Sequence, residues 1–357
     1  MKNCRSGRKP KASNSDSRNK AVASVNRHIL VVGSGSAGKR HARNLAALGC
    51  AVSCVDPRAD RRQELAEETP VASEFDSVEN ALSGSEQFHG VVVASPPAFH
   101  VDQAIAALDT NLPVLLEKPV SPDATSARKL ARACNSSGTP LLLGYTWRWW
   151  PPLRHAKAKL ESGSIGNLRH IRFTMSAHLA DWHPWERYQD FFMSNQELGG
   201  GALLDESHWI DLALWFFGMP RSVYARIEKI SDLEIDADDN VDMILEFDDG
   251  LRATLHLDLF GRPHEKSILF VGEQGSCRWT ESPNCVAFSG EQADGWDETL
   301  FECERNDMFM SVAEEFLGVL DGKRLPTCTI EDGVRVLDVI EAARRSHEDG
   351  QCISLIS

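Results

Sequence analysis

Lys118, Asp205 and His208 are the residues whose types and settings could move a proton. Lys118 sits in Glu117-Lys118-Pro119, directly after the apolar run Pro113–Leu116. A lysine there can hydrogen-bond a reacting oxygen or lower a hydroxyl's pKa by its charge; the alternative is an ordinary surface lysine. Asp205 and His208 belong to the stretch Gly199-Gly200-Gly201-Ala202-Leu203-Leu204-Asp205-Glu206-Ser207-His208. On one continuous helix, residues three apart lie about 60° apart on the same face. The sequence around them is apolar through Phe217, so this helix is expected to be buried. A buried acid and imidazole are unfavourable unless paired or used, and an imidazole titrates near neutral pH. A structural Asp–His hydrogen bond under a packed helix is the competing explanation. The three glycines are expected to let backbone approach a ligand closely.

A second constellation is Gly33-Ser34-Gly35-Ser36-Ala37-Gly38, between the apolar run His28–Val32 and a helical pattern over Ala37–Leu48. Each glycine has a reason. Gly33 permits a tight turn, Gly35 lets backbone approach a pyrophosphate, and Gly38 lets helix and strand pack closely. The helix N-terminus, with Ser36 and Ala37, offers unpaired N–H groups to the anion. Asp56 ends the next apolar run, Ala51–Val55, and would accept hydrogen bonds from ribose hydroxyls. Its charge would repel a 2′-phosphate, which favours NAD. Arg58 and Arg61 leave NADP as the alternative if they are not simply solvated charges. Ser95-Pro96-Pro97 and His100 follow a third run, Gly90–Ala94, and are placed along the same dinucleotide with Glu117 and Lys118. His100 also reads as an ordinary residue at a helix start.

These groups need elements to position them. Up to residue 145, short apolar runs alternate with helical patterns, the sign of a parallel sheet covered on both faces. After it, Leu168–Ala177, Ser222–Ile230, Asp242–Phe247, Ala253–Leu259 and Ser267–Val271 read as strands with polar alternation, and Asp248-Asp249-Gly250 as a hairpin turn. Phe309–Gly322 and Ile330–Ser346 read as helices; the sequence does not decide which domain the last one packs on. The expected fold is therefore α/β: a Rossmann domain over 27–145, then an α+β domain with a mainly antiparallel sheet over 146–357. Residues 1–26 are basic and polar, and are expected to be a disordered tail.

Composition narrows the function classes. The 357 residues carry a formal net charge of −14, although residues 1–27 sum to +7. That argues against nonspecific nucleic-acid binding. No apolar run is long enough to span a membrane. The nine cysteines are odd in number and lack CxxC spacing. Neither a disulfide scaffold nor a metal site is expected, and a cytoplasmic setting is the simplest. Seven of the nine tryptophans fall between Trp147 and Trp215. Most are expected in the core, with Trp182 a candidate to touch a sugar ring, whose C–H faces suit an indole. Arg148, His183 and Arg187 could bind hydroxyls or a phosphate.

The chain resembles the glucose–fructose oxidoreductase / inositol dehydrogenase / MocA (Gfo/Idh/MocA) family. The motifs that carry the likeness are GSGSAGKRHARNL, ASPPAFH, EKP, GYTWRWWPPL and GGGALLDESHWIDLALWFFG. The resemblance implies a Rossmann domain followed by an open-faced sheet often used for oligomer contact, here a homodimer or homotetramer. It also implies that Lys118, Asp205 and His208 form the catalytic group. Many members separate the Asp and His by four positions with a glycine between; here the step is three, with Ser207 at that place. A subset tied to bacterial surface-polysaccharide pathways looks similar in this step and in AHLADWHPWERYQD, residues 177–190. The expected activity is hydride transfer between NAD(P) and a hydroxyl or keto group of a carbohydrate: a sugar, amino sugar or nucleotide sugar. His208 would be the base, Lys118 would hold the reacting oxygen, and Asp205 would orient them. The alternatives are an NAD-dependent glycosidase working by oxidation and elimination, and a non-catalytic dinucleotide sensor.

Overall fold

The structure, a computed structural model, describes residues 27–182, 186–291 and 294–355. The basic tail, His183 and Trp185 lie outside them.

The first domain alternates strands and helices. Strands β1 (His28–Val32), β2 (Ala51–Val55), β3 (Glu74–Phe75), β4 (Gly90–Val93), β5 (Val114–Leu116) and β6 (Leu141–Leu143) are joined by α1 (Ser36–Ala47), α2 (Ala59–Glu68), α3 (Val78–Ser83), α4 (Pro97–Asp109) and α5 (Ala124–Ser137). They form one sheet in the order β3-β2-β1-β4-β5-β6, parallel throughout. This is the doubly wound dinucleotide-binding arrangement, with its crevice where strand order reverses between β1 and β4. Ile29–Val31, Val91–Val93 and Val114–Leu116 have no exposed surface, as expected for strands covered on both sides. The sequence pattern missed β3, which at two residues is too short to show alternation.

The second domain contains α6 (Pro151–Glu161), β7 (Leu168–Ser176), α7 (Ala202–Asp205), α8 (Ser207–Phe217), β8 (Ser222–Glu228), β9 (Asn240–Glu246), β10 (Arg252–Asp258), β11 (Glu265–Gly272), β12 (Gly275–Thr280), β13 (Cys285–Gly290), β14 (Asp297–Leu300), α9 (Arg305–Leu320), α10 (Ile330–Asp349) and β15 (Ile353–Ser354). Its nine strands run β14-β13-β12-β11-β7-β10-β9-β8-β15, antiparallel except for the parallel pair β7–β10. The hairpin turn falls between β9 and β10 as expected, with Asp249 and Gly250 at positive φ. Pro151-Pro152 opens α6 rather than breaking a helix, since proline is tolerated in the first turn.

One face of this sheet is buried: Ile171, Phe173, Met175, Val241, Met243, Leu255, Ile268 and Phe270 point into the domain. The other face carries Arg226 paired with Glu228, and His256 between Asp242 and Asp258, with Tyr224 and Ile244 as exposed apolar groups. The uncovered face is thus charged rather than one large apolar patch. The last helices return to the first domain. Helix α10 packs on both β8 and α5, and α9 packs on α1, so the question of which domain the final helix joins has the answer of both.

Candidate active site

The glycine-rich turn forms a cradle. Gly33 has φ +93°, and a Cβ there would lie 2.7 Å from the backbone of Ala94 and Ser95. At Gly38 a Cβ would be 1.7 Å from the Gly33 carbonyl oxygen, so only glycine lets α1 pack on β1. Helix α1 starts with no side-chain cap and no acid in its first turn, which leaves its N–H groups to an anion. Ser34, Gly35 and Ser36 line a groove of about 540 Å³ with Lys39, Arg40, Arg43, Arg58 and Arg61. The residues present fit a dinucleotide. Asp56 sits at the end of β2, and its two carboxylate oxygens accept from the Ser34 and Arg58 N–H groups at 2.8 and 2.9 Å. Arg58 turns outward to pair with Asp60. Arg61 lies over Gly35 and 3.7 Å from Glu186. Glu186, in the second domain, therefore reaches this groove of the first.

At the carboxyl edge of β4, the loop Ser95-Pro96-Pro97 leads into α4. His100 is fully buried there; its ring nitrogens face the carbonyl oxygens of Pro119 and Ser95, each at 2.7 Å. His100 thus ties this loop to the Lys118–Pro119 turn, whose peptide bond is cis. Glu117 is also buried, and its Oε1 meets His41 Nε2 of α1 at 2.6 Å. Burial alone would raise the Glu117 pKa; the hydrogen bond and charge of His41, with Lys118, outweigh it and hold the carboxyl below its ordinary value.

Lys118 is the junction with the second domain. Its Nζ donates to Asp205 Oδ1 at 2.9 Å and to the Asp205 carbonyl oxygen at 2.6 Å. Burial would lower the pKa of this ammonium, but the charges of Asp205 and Glu206 hold it above its ordinary value. His208 follows Asp205 by three residues and feels the Lys118 charge; its ring lies 5.7 Å from Tyr145 in an edge contact. Its Nδ1 is buried without a hydrogen-bond partner among the described residues. Burial, followed by the fields of Lys118, Arg305 and Lys266, drives its pKa well below the usual value. The imidazole is neutral at pH 7 and free to accept a proton. The arrangement is one held cation, one carboxylate and one neutral base at the carboxyl edge of a dinucleotide-binding sheet.

Two expectations need correction. Asp205 and His208 do not share a continuous helix: the chain breaks at Glu206 (φ −90°, ψ 18°), so Asp205 ends α7 and His208 is the second residue of α8. The glycine run serves packing within the protein. A Cβ at Gly200 would lie 2.5 Å from the carbonyl oxygens of Phe192 and Met193, and one at Gly201 2.4 Å from Asp238 Oδ1.

The remaining candidates are dispersed. The Arg148 guanidinium is buried and bound to Asp211 through Nε and Nη2, at 2.9 and 2.6 Å, and to Asp332, so its donors serve the core. Trp147, Trp149, Trp150 and Trp209 are buried as expected. Trp182 is partly buried against the core, and its indole N–H has no partner among the described residues. Arg187 is exposed. The sequence reading missed His41, Glu206 and Lys266. Glu206 accepts from Trp209 Nε1 at 2.9 Å, and burial with the neighbouring Asp205 charge pushes its carboxyl up to about 7.

Comparison with known proteins identifies the family. Residues 27–145 match the model of the oxidoreductase family with an NAD-binding Rossmann fold, and residues 153–278 match the GFO/IDH/MocA C-terminal domain. The chain is 24% identical over 302 residues to D-xylose 1-dehydrogenase (NADP(+)) 2 of Haloferax volcanii, covering 83% of this chain and 89% of that one. It is 31% identical over 148 residues to inositol 2-dehydrogenase of Corynebacterium glutamicum, covering 40% and 44%. Among solved structures, levoglucosan dehydrogenase with NADH and levoglucosan superposes with a TM-score of 0.82 at 18% identity, covering 93% of this chain and all of that one. The WlbA dehydrogenase of Bordetella pertussis with NADH and UDP-GlcNAcA gives 0.77 at 23% identity, covering 93% and 99%. The family models span most of the chain, one per domain, and the chain belongs to the Gfo/Idh/MocA family of NAD(P)-dependent oxidoreductases acting on CH–OH groups.

Proposed function

We propose that this protein transfers hydride between NAD(H) and a hydroxyl or keto group of a carbohydrate: a sugar, an amino sugar or a nucleotide sugar. The observation that carries the reading is the Lys118 ammonium, fixed on Asp205 beside the neutral imidazole of His208. The relatives support the substrate class, since their names specify xylose, inositol and levoglucosan. In the oxidation direction His208 takes the hydroxyl proton. An ammonium has three N–H donors; Asp205 occupies two of them on Lys118, and the third is available to the reacting oxygen, where it stabilises developing alkoxide charge. Asp205 fixes the lysine's position. Ser34–Ser36 and Asp56 would hold the dinucleotide, which would supply the hydride acceptor or donor. Asp56 at the end of β2 favours NAD over NADP.

The test is a screen of free sugars, sugar phosphates and nucleotide sugars with NAD and NADH, followed at 340 nm. The expected result is stoichiometric NADH with oxidised sugar, and a kcat lowered roughly 10²–10⁴-fold in His208→Ala. Turnover confined to non-carbohydrate alcohols would overturn the substrate class. Free sugar released without net NADH would point to oxidation and elimination.

A further inference from the structure

Lys118 lies where regular structure gives it little support. Strand β5 ends at Leu116 and α5 begins at Ala124, so the residues between them belong to neither a strand nor that helix. The last ladder-like bond runs from the Glu117 N–H to the Val93 carbonyl oxygen at 2.9 Å. Lys118 nevertheless places its ammonium on two oxygens of Asp205, in the other domain. A long side chain on a loosely held turn samples many positions, and a reacting group displaced by about 1 Å can lose about a hundredfold in rate.

The missing support comes from α1, through the Glu117 carboxylate. Its Oε1 accepts from His41 Nε2 at 2.6 Å, and its Oε2 accepts from the N–H of Lys118 itself at 3.3 Å. Held below its ordinary pKa, this carboxyl is ionised at pH 7 and can only accept, so His41 Nε2 carries the hydrogen. His41 has no exposed surface, and Glu117 is its one polar partner among the described residues, since Nδ1 has none. Phe309 of α9 meets the imidazole edge-on, with ring centres 6.0 Å apart, and holds it from the far side. A buried imidazole–carboxylate pair adds little stability over a packed apolar pair, so stability alone does not account for it.

We propose that His41 is a positioning residue for Lys118: from α1 it fixes the Glu117 carboxylate, which fixes the Lys118 backbone and so the line along which the ammonium reaches Asp205 and the reacting oxygen. This rests on the role given to Lys118 above and extends it. Helix α1 also opens directly after the glycine-rich turn, with His41 three residues past Gly38. The cofactor cradle and the reacting lysine are thereby set by one rigid element.

Lysine labelling tests the position without a substrate. A brief pulse of acetic anhydride on the full chain, read peptide by peptide by mass spectrometry, reports how freely each ammonium leaves its partners. In His41→Leu the Lys118 rate should rise at least about tenfold, the worth of one hydrogen bond to a charged group. His41→Gln can present an amide N–H to the same oxygen and should restore slow labelling. Lys39 on α1 and Lys266 in the second domain, with side chains 20% and 9% exposed, should change less than about twofold. Glu117→Ala should loosen Lys118 by itself, and adding His41→Leu should then change nothing, because the imidazole has nothing left to hold; it also carries the test where His41→Leu folds poorly. An unchanged Lys118 rate in His41→Leu or Glu117→Ala would overturn the inference. So would a rise shared by Lys39 and Lys266, an effect of His41→Leu that persists in Glu117→Ala, or a His41→Gln variant as reactive as His41→Leu. With the sugar that the substrate screen yields, His41→Leu should lower kcat at least about tenfold. Sugar oxidation with Lys118 labelling unchanged would keep the proposed reaction and remove the positioning role. Lys118 loosened by His41→Leu in a protein that oxidises no sugar would keep the positioning role and remove the reaction.

Discussion

Replacing Lys118 with methionine separates a catalytic lysine from a structural one. Methionine keeps most of the side chain's length and removes the charge and all three donors. Two effects follow from the observed contacts. The first is chemical: the reacting oxygen loses its cationic donor, and kcat should fall roughly 10²–10⁴-fold, or about 3–5 kcal/mol of transition-state stabilisation. The second is structural: Asp205, only 6% exposed, loses the ammonium that meets both its carboxylate and its carbonyl oxygen. Breaking one side of a buried ion pair destabilises a protein by about 3–5 kcal/mol, less where the stranded carboxylate takes up a proton. The double variant Lys118→Met/Asp205→Asn removes the stranded charge, so it should recover much of the lost stability and none of the lost kcat. Chemical denaturation gives the first quantity and initial rates at saturating substrate the second. NADH affinity should change little in either variant, because the glycine-rich cradle lies on a different loop. A double variant that regains wild-type turnover along with its stability would show that Lys118 only holds Asp205 in place.

Two further outcomes follow from the groove and the imidazole. NADH should bind at least about tenfold tighter than NADPH by tryptophan fluorescence, and Asp56→Ala should shrink the difference; tighter NADPH binding would mean that Arg58 or Arg61 controls the pocket. Because the His208 pKa is lowered, the base stays unprotonated through pH 6.5, and kcat/KM should hold from pH 8 down to 6.5 and fall only below it. Removing a positive neighbour in Lys266→Gln should move that acid limb upward. Glu206 titrates near 7 and lies in the same window, so the profile is compared with that of Glu206→Gln. A limb above 6.5 that survives Glu206→Gln would refute a neutral base with a lowered pKa.

The dinucleotide half was legible because each of its signals is local. The apolar runs bounding the helices have the right length for fully buried strands, and Gly33, Gly35 and Gly38 sit on a turn where two of them admit no Cβ. Lys118 was legible for the same reason, being two residues past a strand end. Arg148 was misread because its partner Asp211 is 63 residues away, and nothing near Trp147–Trp150 shows that the guanidinium turns into the core. The break at Glu206 was equally hidden. The chain there has no glycine or proline, so an uninterrupted helix was the natural reading.

Lys266 and His41 show what a period-based reading needs in order to find buried polar groups. Beginning β11 at Ser267 leaves Lys266 outside the strand, where a lysine asks for no explanation. The strand begins at Glu265, and Lys266 then shares the phase of Ile268 and Phe270. A charged residue in an apolar phase is the signal, and it exists only once the boundary is right to within a residue. His41 is the helical counterpart. It is fully buried on α1, three residues after Gly38, and it meets Glu117 from a loop 76 residues later. Both residues break the pattern of their own element, and each supplies a contact that the site's loops cannot make for themselves. His41 orders the acid beside Lys118, and Lys266 puts a buried ammonium on the inner face of β11, against His264 and Trp147. Function in this chain is written where alternation fails, at positions whose partners come from distant sequence.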